Sequence, residues 1–455
     1  MRLPYDTFVF THRVLEGCTV RLGYRLEGGG QRLELEETLQ LPFAMQRDED
    51  HRGDVDAALT GLHLIGGISY WKICCPMNIQ IMNAAISPWD TTFWNEVYTQ
   101  GLGEFYYRNK INPQDRVAFP QQGKWNNRDF TPQQAEGEAL LLVGGGKDSV
   151  VSHQILRRAK QAHQVFYVGD SQQIEPLIAG FQAPRLLVGR RLDPILFELN
   201  ASGALNGHVP VSAYYAFVAQ LIAVLGGFGS IIASNERSAS SANLHIGPLE
   251  VNHQWSKGVR FESLFQQWQR HHLRRIPTYF SVLRPLSELH IASCFSRFPA
   301  HFTHFSSCNR NFRQRGRRPA DRWCGRCSKC IFVFTMLGPW LEEQDMGRIF
   351  GGNFLADDEN LSTLAQLLGL EGHKPFDCVG TPDEVAAALY LCHTQGRYHD
   401  LPALRMLAER VLPRIIDPDR LVESLLTPVD EHLIPQRWVS LLHEFLEVGR
   451  SGAEL

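Results

Sequence analysis

Short apolar runs alternate with amphipathic segments along the middle of the chain, and this pattern predicts an α/β fold. The run Leu140–Val143 indicates a buried strand, and the apolar positions within 150–156 have the spacing of a helix. Such alternation is typical of a doubly wound parallel sheet with helices on both faces, which binds ligands at the carboxyl ends of its strands. The other elements predicted here are strands at 164–168, 185–190 and 230–233 and a long apolar helix at 211–225.

The first part of the chain differs, because polar and apolar residues alternate there over short segments. Alternation of this kind predicts strands that bury one face, and a helical pattern follows them. We therefore expect an α+β N-terminal domain over 1–130. Its predicted elements are strands at 7–10, 18–24 and 32–36, a hairpin turn at Gly28–Gly30 and a helix at 54–65.

A polar stretch and a helical region complete the predicted organisation. Residues 112–137 are polar and contain several prolines and glycines, so we interpret them as a linker. We expect a nucleotide-binding α/β domain over 138–335 and a mostly helical region over 336–455. The helical periodicity of that last region is clearest at 383–391, 403–411 and 437–445.

The composition is that of an ordinary globular protein, and it disfavours several other classes of protein. The 455 residues exceed one typical core, and 44% are hydrophobic and 20% charged. A net charge of −3 gives no general attraction to nucleic acid or to an anionic membrane. No apolar run approaches the length of about 18 residues that a membrane helix needs. With no secretory signal at the start and 10 cysteines, we expect a cytoplasmic protein with reduced thiols.

The strongest chemical signal is the glycine loop, which we define as Gly144–Ser149. It lies between the predicted strand and helix, so its backbone N–H groups and the helix N-terminus can bind a phosphate. Lys147 would add a mobile positive charge, Asp148 would hold Mg²⁺ and Ser149 would donate to a phosphate oxygen. The spacing fits neither a Walker loop nor a dinucleotide-binding fingerprint. An ordinary glycine turn is the alternative interpretation.

This loop resembles the PP-loop (Ser-Gly-Gly-x-Asp-Ser) of ATP pyrophosphatases. Those enzymes split ATP into AMP and pyrophosphate and adenylate a substrate. Gly145, Gly146, Asp148 and Ser149 match the motif, whereas Gly144 stands in place of the first serine and removes one hydroxyl contact. The resemblance implies that the α/β domain binds ATP.

Four cysteines form a second signal. Cys324, Cys327 and Cys330 make two overlapping C-x-x-C steps, and Cys308 lies upstream of them. Four thiolates suit a closed tetrahedral Zn²⁺ site, and without an open ligand position such a site is structural. Reduced structural or redox cysteines are the alternative. This pattern also occurs in 7-cyano-7-deazaguanine synthases, which are PP-loop enzymes.

Arginines crowd the segment around these cysteines. Guanidinium groups bind phosphate and carboxylate groups bidentately, so the segment suits a multiply anionic small substrate or a nucleic acid. A solvated basic loop is the alternative. The arginines concerned are Arg297, Arg310, Arg313, Arg315, Arg317, Arg318, Arg322 and Arg326.

Two further loops concentrate functional side chains. The segment 250–257 carries His253 and Lys257 together with amide and indole groups, a combination that is costly to bury without partners. Cys378 lies in a turn just before a helix predicted to begin near Pro382, and a nearby helix N-terminus would lower the pKa of its thiol. A buried cysteine that acts as a small hydrophobic residue is the more common alternative.

Together these stretches resemble the ATP-dependent UDP-N-acetylmuramoyl-L-alanyl-L-glutamate epimerase (MurL-type) family of peptidoglycan synthesis. The resemblance covers nearly the whole chain. Because many enzymes share the PP-loop, its most specific parts are Val251–Lys257 (Val-Asn-His-Gln-Trp-Ser-Lys) and 375–380 (Pro-Phe-Asp-Cys-Val-Gly). The other parts are 68–72, the glycine loop, 234–239 and the four cysteines.

The resemblance implies a defined reaction and hence an isomerase. The α-carboxylate of the terminal L-glutamate attacks the α-phosphate of ATP, pyrophosphate leaves and an acyl-adenylate forms. The adenylate makes the α-proton easier to remove, reprotonation on the other face gives D-glutamate, and water releases AMP. The implied cofactors are ATP, Mg²⁺ and structural Zn²⁺, and the implied partner is the UDP-linked dipeptide.

The same resemblance assigns roles to individual residues. Arg237 or an arginine of 310–322 would hold a substrate carboxylate or the diphosphate, and Tyr70 with Trp71 would recognise the uridine or sugar. Nothing in the spacing chooses the epimerisation base. The catalytic candidates are Lys147, Asp148, His253, Lys257 and Cys378. The nucleotide-binding candidates are Gly144, Gly145, Gly146, Lys147, Asp148, Ser149, Asn235, Glu236 and Arg237.

The alternative function is a PP-loop enzyme that adenylates a nucleobase or a tRNA, such as a 7-deazaguanine synthase or a thiolation enzyme. It would account for the cysteine knuckle and the arginines, and it predicts salt-sensitive RNA binding. The adjacent pair Cys74–Cys75 is not the usual arrangement for thiolation. Long segments on both sides of the α/β domain also disfavour a deazaguanine synthase. A third possibility, a nucleotide-binding module without enzymatic activity, would not need Asp148. The sequence does not indicate the oligomeric state.

Overall fold

The structure is a computed structural model that describes residues 3–44, 52–113, 116–123, 130–169, 172–247, 249–311, 321–398 and 400–450. Its strands are β1 (Thr7–Glu16), β2 (Thr19–Gly28), β3 (Gln31–Gln40), β4 (Asn78–Ile81), β5 (Gln133–Gln134), β6 (Ala139–Leu142), β7 (His163–Val168), β8 (Arg185–Arg191), β9 (Ser230–Ala233), β10 (Leu244–Ile246), β11 (Leu249–Val251), β12 (Arg275–Ile276) and β13 (Thr278–Ser281).

Helices cover both faces of the sheet and dominate the last third of the chain. They are α1 (Arg52–Gly66), α2 (Ile68–Trp71), α3 (Pro88–Gln100), α4 (Gly103–Asn109), α5 (Lys147–Arg158), α6 (Glu175–Gly180), α7 (Pro194–Ala201), α8 (Val211–Gly226), α9 (Val259–His272), α10 (Glu288–Phe295), α11 (Ser328–Leu337), α12 (Glu343–Phe350), α13 (Leu361–Leu367), α14 (Pro382–Thr394), α15 (Pro402–Met406), α16 (Pro418–Leu426) and α17 (Gln436–Arg450). Among the described residues, no helix is long and apolar enough to cross a membrane.

Nine strands of the described chain form one mixed sheet in the order β13-β9-β6-β7-β8-β3-β2-β1-β4. The strands from β13 to β8 are parallel, as the alternation of apolar runs predicts, and the α/β class is confirmed. The hairpin strands β1 to β3 are antiparallel. They extend the parallel sheet because β3 pairs with β8, so the first two predicted units share a sheet. The predicted boundary near residue 130 stays a prediction.

A buried ion pair reinforces this junction. Glu37 of β3 is fully buried and accepts a hydrogen bond from Arg190 of β8 at 2.9 Å. The Tyr214 hydroxyl of α8 donates to the same carboxylate, and the Arg190 guanidinium lies 3.7 Å from the Tyr214 ring centroid. A buried charge is tolerated only when it is paired in this way. The pair therefore holds the hairpin strands against the parallel strands.

The aromatic pair predicted to contact uridine or sugar belongs to the core instead. Tyr70 and Trp71 are both fully buried. The Tyr70 hydroxyl accepts from the backbone N–H of Asp193, and the Trp71 indole donates to the carbonyl of Pro76. Since both polar groups are satisfied inside the protein, the expectation of a ligand contact is wrong.

Candidate active site

The glycine loop lies between β6 and α5, at the carboxyl edge of the parallel strands. Gly145 has φ +87°, which favours glycine, and a Cβ placed on Gly144 would meet nothing within 4 Å. The backbone N–H of Gly144 donates to Ser149 Oγ at 3.1 Å, which closes the loop on itself. Gly146 caps α5 without a side-chain hydrogen bond, so the cradle has the open space and the helix end that a phosphate requires.

A cleft of about 390 Å³ is lined in part by this loop, and its other lining residues are of two chemical kinds. Some are apolar or aromatic and include Phe166, Tyr167, Val168 and Tyr215. The others are polar or cationic and include Asn235, Lys257, Ser307, Asn309, Lys329 and Cys378. A phosphate bound on the glycine loop would therefore lie in the same cleft as both kinds of residue.

The structure contradicts the prediction that Lys147 carries a mobile charge. Its side chain is only 3% exposed, and its ammonium pairs with Asp148 at 2.5 Å and with the buried carboxyl group of Glu288. These two carboxylates raise the pKa of Lys147 although burial opposes them. Lys147 is therefore a fixed cation. Asp148 keeps 24% of its side chain exposed and lines the cleft, as a metal-binding role requires.

The three candidates that follow β9 diverge. Asn235 lines the cleft and donates to Ser281 Oγ at 2.9 Å. Glu236 is buried, and its charge faces Lys257. The Arg237 guanidinium points away from the cleft lining, toward the carbonyl oxygens of Ser424 and Thr427. The nucleotide-binding roles of all three residues stay predictions. The Arg237 side chain is directed away from the cleft in which the nucleotide would bind.

The three candidate bases converge, although they are far apart in the sequence. His253 and Lys257 both lie close enough to Cys378 to lower the pKa of its thiol. His253 precedes a short 3-10 turn, Trp255–Lys257, which brings Lys257 to the same sulfur. Cys378 and Lys257 line the cleft that contains the glycine loop. The convergence of all three side chains indicates a reactive centre.

The electrostatics of this centre favour a thiolate. Burial alone would raise the pKa of the Cys378 thiol, but the charge of Lys257 and the hydrogen bond and charge of His253 lower it to about 5. Burial alone would lower the pKa of His253, but its hydrogen bonds to Cys378 and Glu104 raise it to about 9. Between these values the pair is a thiolate and an imidazolium.

Glu104 is a member of this centre that the sequence does not reveal. It extends from α4, is 5% exposed and lies 2.5 Å from His253 Nδ1. This contact leaves the other ring nitrogen, Nε2, available to a second partner. The His208 ring lies 4.2 Å from the His253 ring, tilted by 40°, and burial and the charge of His253 lower the pKa of His208 to about 3. Glu104, His253 and Cys378 thus form a relay of carboxylate, imidazole and sulfur.

The thiolate should be detectable by alkylation. We expect iodoacetamide to modify Cys378 at nearly constant rate down to a pH near 5, because the depressed thiol pKa leaves the thiolate populated there. An ordinary cysteine, with a pKa of about 8.5, loses its reactivity well above that pH. Peptide mass spectrometry against pH gives the profile. The variant Lys257→Met should shift the inflection to higher pH, and an unshifted inflection near 8.5 in the wild type would contradict the assignment.

The four predicted metal ligands also converge. The sulfur atoms of Cys308, Cys324, Cys327 and Cys330 all lie within 4.8 Å of one another. Cys327 and Cys330 are 3.4 Å apart, and Cys324 and Cys330 are 3.7 Å apart. A zinc ion with bonds of about 2.3 Å to four sulfurs needs separations of about 3.8 Å. The soft donors and their spacing therefore fit Zn²⁺.

This cysteine cluster is connected to the Cys378 loop. Cys327 caps α11, and the next two residues of that helix reach across: Ser328 Oγ donates to Asp377, and Lys329 Nζ donates to the carbonyl of Cys378. Asn309, next to Cys308, donates to the second oxygen of Asp377. A metal that fixes the cluster would therefore also fix the position of Cys378.

Loss of the cluster should reduce metal content and stability together. We expect Cys327→Ser to lower the free energy of unfolding by roughly 3 kcal/mol or more, because it removes a metal ligand in a folded loop. Metal analysis and thermal denaturation of gently purified protein measure both quantities. Cys18→Ser, which changes a half-buried cysteine of the first hairpin, should leave both unchanged. A wild-type protein without stoichiometric metal would contradict the zinc assignment.

The arginine-rich segment is only partly described. Arg326 pairs with Asp357 at 2.5 Å, Arg322 donates to the carbonyl of His304, and Arg297 lies over the Phe445 ring. Arg310 is exposed. The segment's remaining members, Arg313, Arg315, Arg317 and Arg318, lie outside the described residues. Three described arginines thus have structural partners, and a substrate role for the segment stays a prediction.

Comparison with known proteins gives a consistent result over most of the chain. Residues 2–282 match the MurL N-terminal domain family, and residues 304–419 match the MurL C-terminal domain family. A UDP-N-acetyl-alpha-D-muramoyl-L-alanyl-L-glutamate epimerase of Xanthomonas oryzae pv. oryzae is 38% identical over 435 residues, which are 94% of this chain and 95% of the relative.

Two relatives with that same name come from other bacteria. The protein of Salinispora tropica is 37% identical over 94% of this chain and 93% of its own length. The protein of a Micromonospora species is 35% identical over 96% of this chain and 98% of its own length. No solved structure matches the chain.

Proposed function

This chain belongs to the MurL family, and we propose that it uses ATP to invert the terminal L-glutamate of UDP-N-acetylmuramoyl-L-alanyl-L-glutamate. It is an epimerase, and hence an isomerase, of peptidoglycan precursor synthesis. The observation that carries the ATP dependence is the cleft, in which a phosphate cradle adjoins a thiolate centre. A cytoplasmic location suits an enzyme of such a nucleotide-linked precursor.

ATP would bind with its phosphates on the glycine loop, in the manner of a PP-loop. The open space at Gly144 and the uncapped start of α5 support this placement. The adenine would lie against the apolar lining residues of the cleft, among which Tyr167 and Tyr215 offer aromatic surface. Asp148 would hold Mg²⁺, which would neutralise the phosphate charge.

In the first step the glutamate α-carboxylate attacks the α-phosphorus, pyrophosphate leaves and the acyl-adenylate forms. Lys147 is buried between Asp148 and Glu288, so it would act by fixing the Asp148 carboxylate that lines the cleft. A carboxylate fixed in this way would hold Mg²⁺ at the reacting phosphates without reorganisation in the transition state. Adenylation also removes the carboxylate's negative charge, which otherwise opposes the formation of a carbanion at the α-carbon.

In the second step the α-proton leaves and returns on the opposite face. Lys257 and Cys378 line the cleft and His253 lies beside Cys378, so the reacting end of the substrate would bind next to these three side chains. They supply the acid and base groups that this exchange requires. The four-cysteine cluster would hold Zn²⁺ in a structural role, because it anchors the Cys378 loop through Ser328 and Lys329.

Similarity across both MurL domains favours the UDP-linked dipeptide over a nucleobase or a tRNA as substrate. The experiment is an incubation with ATP, Mg²⁺ and the dipeptide substrate, with nucleotides separated by chromatography and glutamate configuration read after hydrolysis on a chiral column. We expect AMP, pyrophosphate and D-glutamate, and none of them without the dipeptide. Formation of ADP, or inversion without ATP, would contradict the proposal. AMP without inversion would indicate that the acyl group passes to another acceptor. Salt-dependent binding of tRNA would then test the alternative function.

A further inference from the structure

The order of groups around Cys378 matches that of nucleophilic enzymes. Glu104 binds His253 Nδ1 at 2.5 Å, His253 lies beside Cys378, and Cys378 lines the cleft together with Lys257. A carboxylate that orients an imidazole, which in turn activates a thiol or hydroxyl, is the arrangement that cysteine and serine hydrolases use to attack acyl groups. The acyl group of an adenylate in this cleft is such an electrophile.

A thiolate in these surroundings is better suited to attack carbon than to remove a proton. Two cationic groups, His253 and Lys257, lie beside the sulfur and stabilise its negative charge. When the pKa of a thiol falls, the basicity of its thiolate falls by the same amount. The logarithm of its nucleophilic rate constant falls by only about half as much. The stronger bases of the centre are therefore its nitrogen groups once they are deprotonated.

We propose that Cys378 is a covalent nucleophile, whose sulfur takes the glutamyl acyl group from AMP before the α-proton moves. This inference rests on the adenylation proposed above. The Sγ–C bond forms, the bond between the acyl carbon and the AMP oxygen breaks, and AMP leaves with that electron pair. Water later hydrolyses the thioester, which releases the D-glutamyl carboxylate, restores the thiolate and yields two protons.

Acylation would also change the state of the neighbouring groups. The thiolate charge holds the proton on His253, and it disappears when the thioester forms. The imidazole would then lose its proton and become free to act as a base beside the acyl group, with Glu104 still fixing the ring. Because sulfur donates little electron density to a carbonyl, a thioester keeps its α-proton acidic. Lys257, beside the same sulfur, provides a second group for proton exchange.

The test compares wild type and Cys378→Ala in three assays with ATP, Mg²⁺ and the dipeptide substrate. These are substrate-dependent exchange of labelled pyrophosphate into ATP, AMP release and D-glutamate formation. We expect Cys378→Ala to retain exchange within a few-fold and to lose AMP release and D-glutamate by about 10³-fold or more. Acid-quenched wild type should carry the acyl group on the Cys378 peptide, and Cys18→Ala, which alters a cysteine outside the cleft, should behave as wild type.

The outcomes separate the inference from the function on which it rests. If Cys378→Ala releases AMP at the wild-type rate and returns L-glutamate, Cys378 acts as a base and the thioester is overturned. If it still forms D-glutamate, Cys378 has neither role. If the wild type supports no exchange and releases no AMP, the adenylation itself is wrong. Because retained exchange reports a folded nucleotide site, lost AMP release in the variant cannot be attributed to unfolding.

Discussion

Replacing Asp148 by asparagine should abolish pyrophosphate release while the protein stays folded. The carboxylate lies at the start of α5 on the cleft lining, where it adjoins Lys147 and the phosphate cradle. Asparagine keeps the size of the side chain but loses the charge that a bound Mg²⁺ requires. We expect substrate-dependent exchange of pyrophosphate into ATP to fall by about 10³-fold or more. Lys147 keeps its pairing with Glu288, so the melting temperature should change little.

The matched control is Asp357→Asn, which removes an acid that pairs with Arg326 away from the cleft. It should leave exchange unchanged, because surface ion pairs contribute little and no cleft residue is altered. Retained pyrophosphate release in Asp148→Asn would exclude this carboxylate from adenylation. A large drop in melting temperature would instead assign it a structural role.

Replacing Glu104 by glutamine should separate the two half-reactions. The carboxylate fixes the His253 ring and raises its pKa, so its loss leaves the imidazole poorly oriented and less readily protonated. We expect D-glutamate formation to fall by about 10²–10⁴-fold, as when the acid of a catalytic triad is neutralised. Exchange of pyrophosphate into ATP should stay within a few-fold of wild type, since Glu104 is absent from the cleft lining around the glycine loop.

The pH profile distinguishes positioning from a merely structural effect. Wild-type activity should require the thiolate and imidazolium pair. It should therefore decrease below about pH 5, the acid limb of the profile, and above about pH 9, the alkaline limb. Since Glu104 raises the pKa of His253, glutamine should move the alkaline limb to lower pH. Arg108→Gln, which removes the partially exposed partner of Glu104, should leave that limb in place. An unmoved limb in Glu104→Gln would refute the positioning role.

Local features of the sequence predict much of this architecture. The apolar run before Gly144 and the helical spacing after Ser149 correctly predict β6 and α5, because strand burial and helix periodicity are properties of neighbouring residues. The convergence of the four cysteines follows similarly from their spacing. The joining of β3 to β8 was not predictable, because it depends on pairing between strands about 150 residues apart.

The candidate site shows the same division. His253, Lys257 and Cys378 attract attention as reactive groups in unusual loops, whereas Glu104 lies in an aromatic helix with no motif around it. Its role depends on a contact with His253, 149 positions along the chain. The interpretation of Lys147 as a mobile charge was wrong for a related reason: its partner Glu288 begins a helix 141 positions away. Only the folded chain reveals that this cation is fixed.

The most direct test of ATP-driven epimerisation follows oxygen from substrate to nucleotide. The dipeptide substrate is prepared with oxygen-18 in the glutamate α-carboxylate, converted with ATP, and the AMP is analysed by mass spectrometry. If the carboxylate attacks the α-phosphorus and acyl transfer then breaks the carbon–oxygen bond, each AMP carries one labelled oxygen and the recovered glutamate is the D-isomer. Unlabelled AMP accompanied by D-glutamate would contradict carboxylate adenylation followed by acyl transfer.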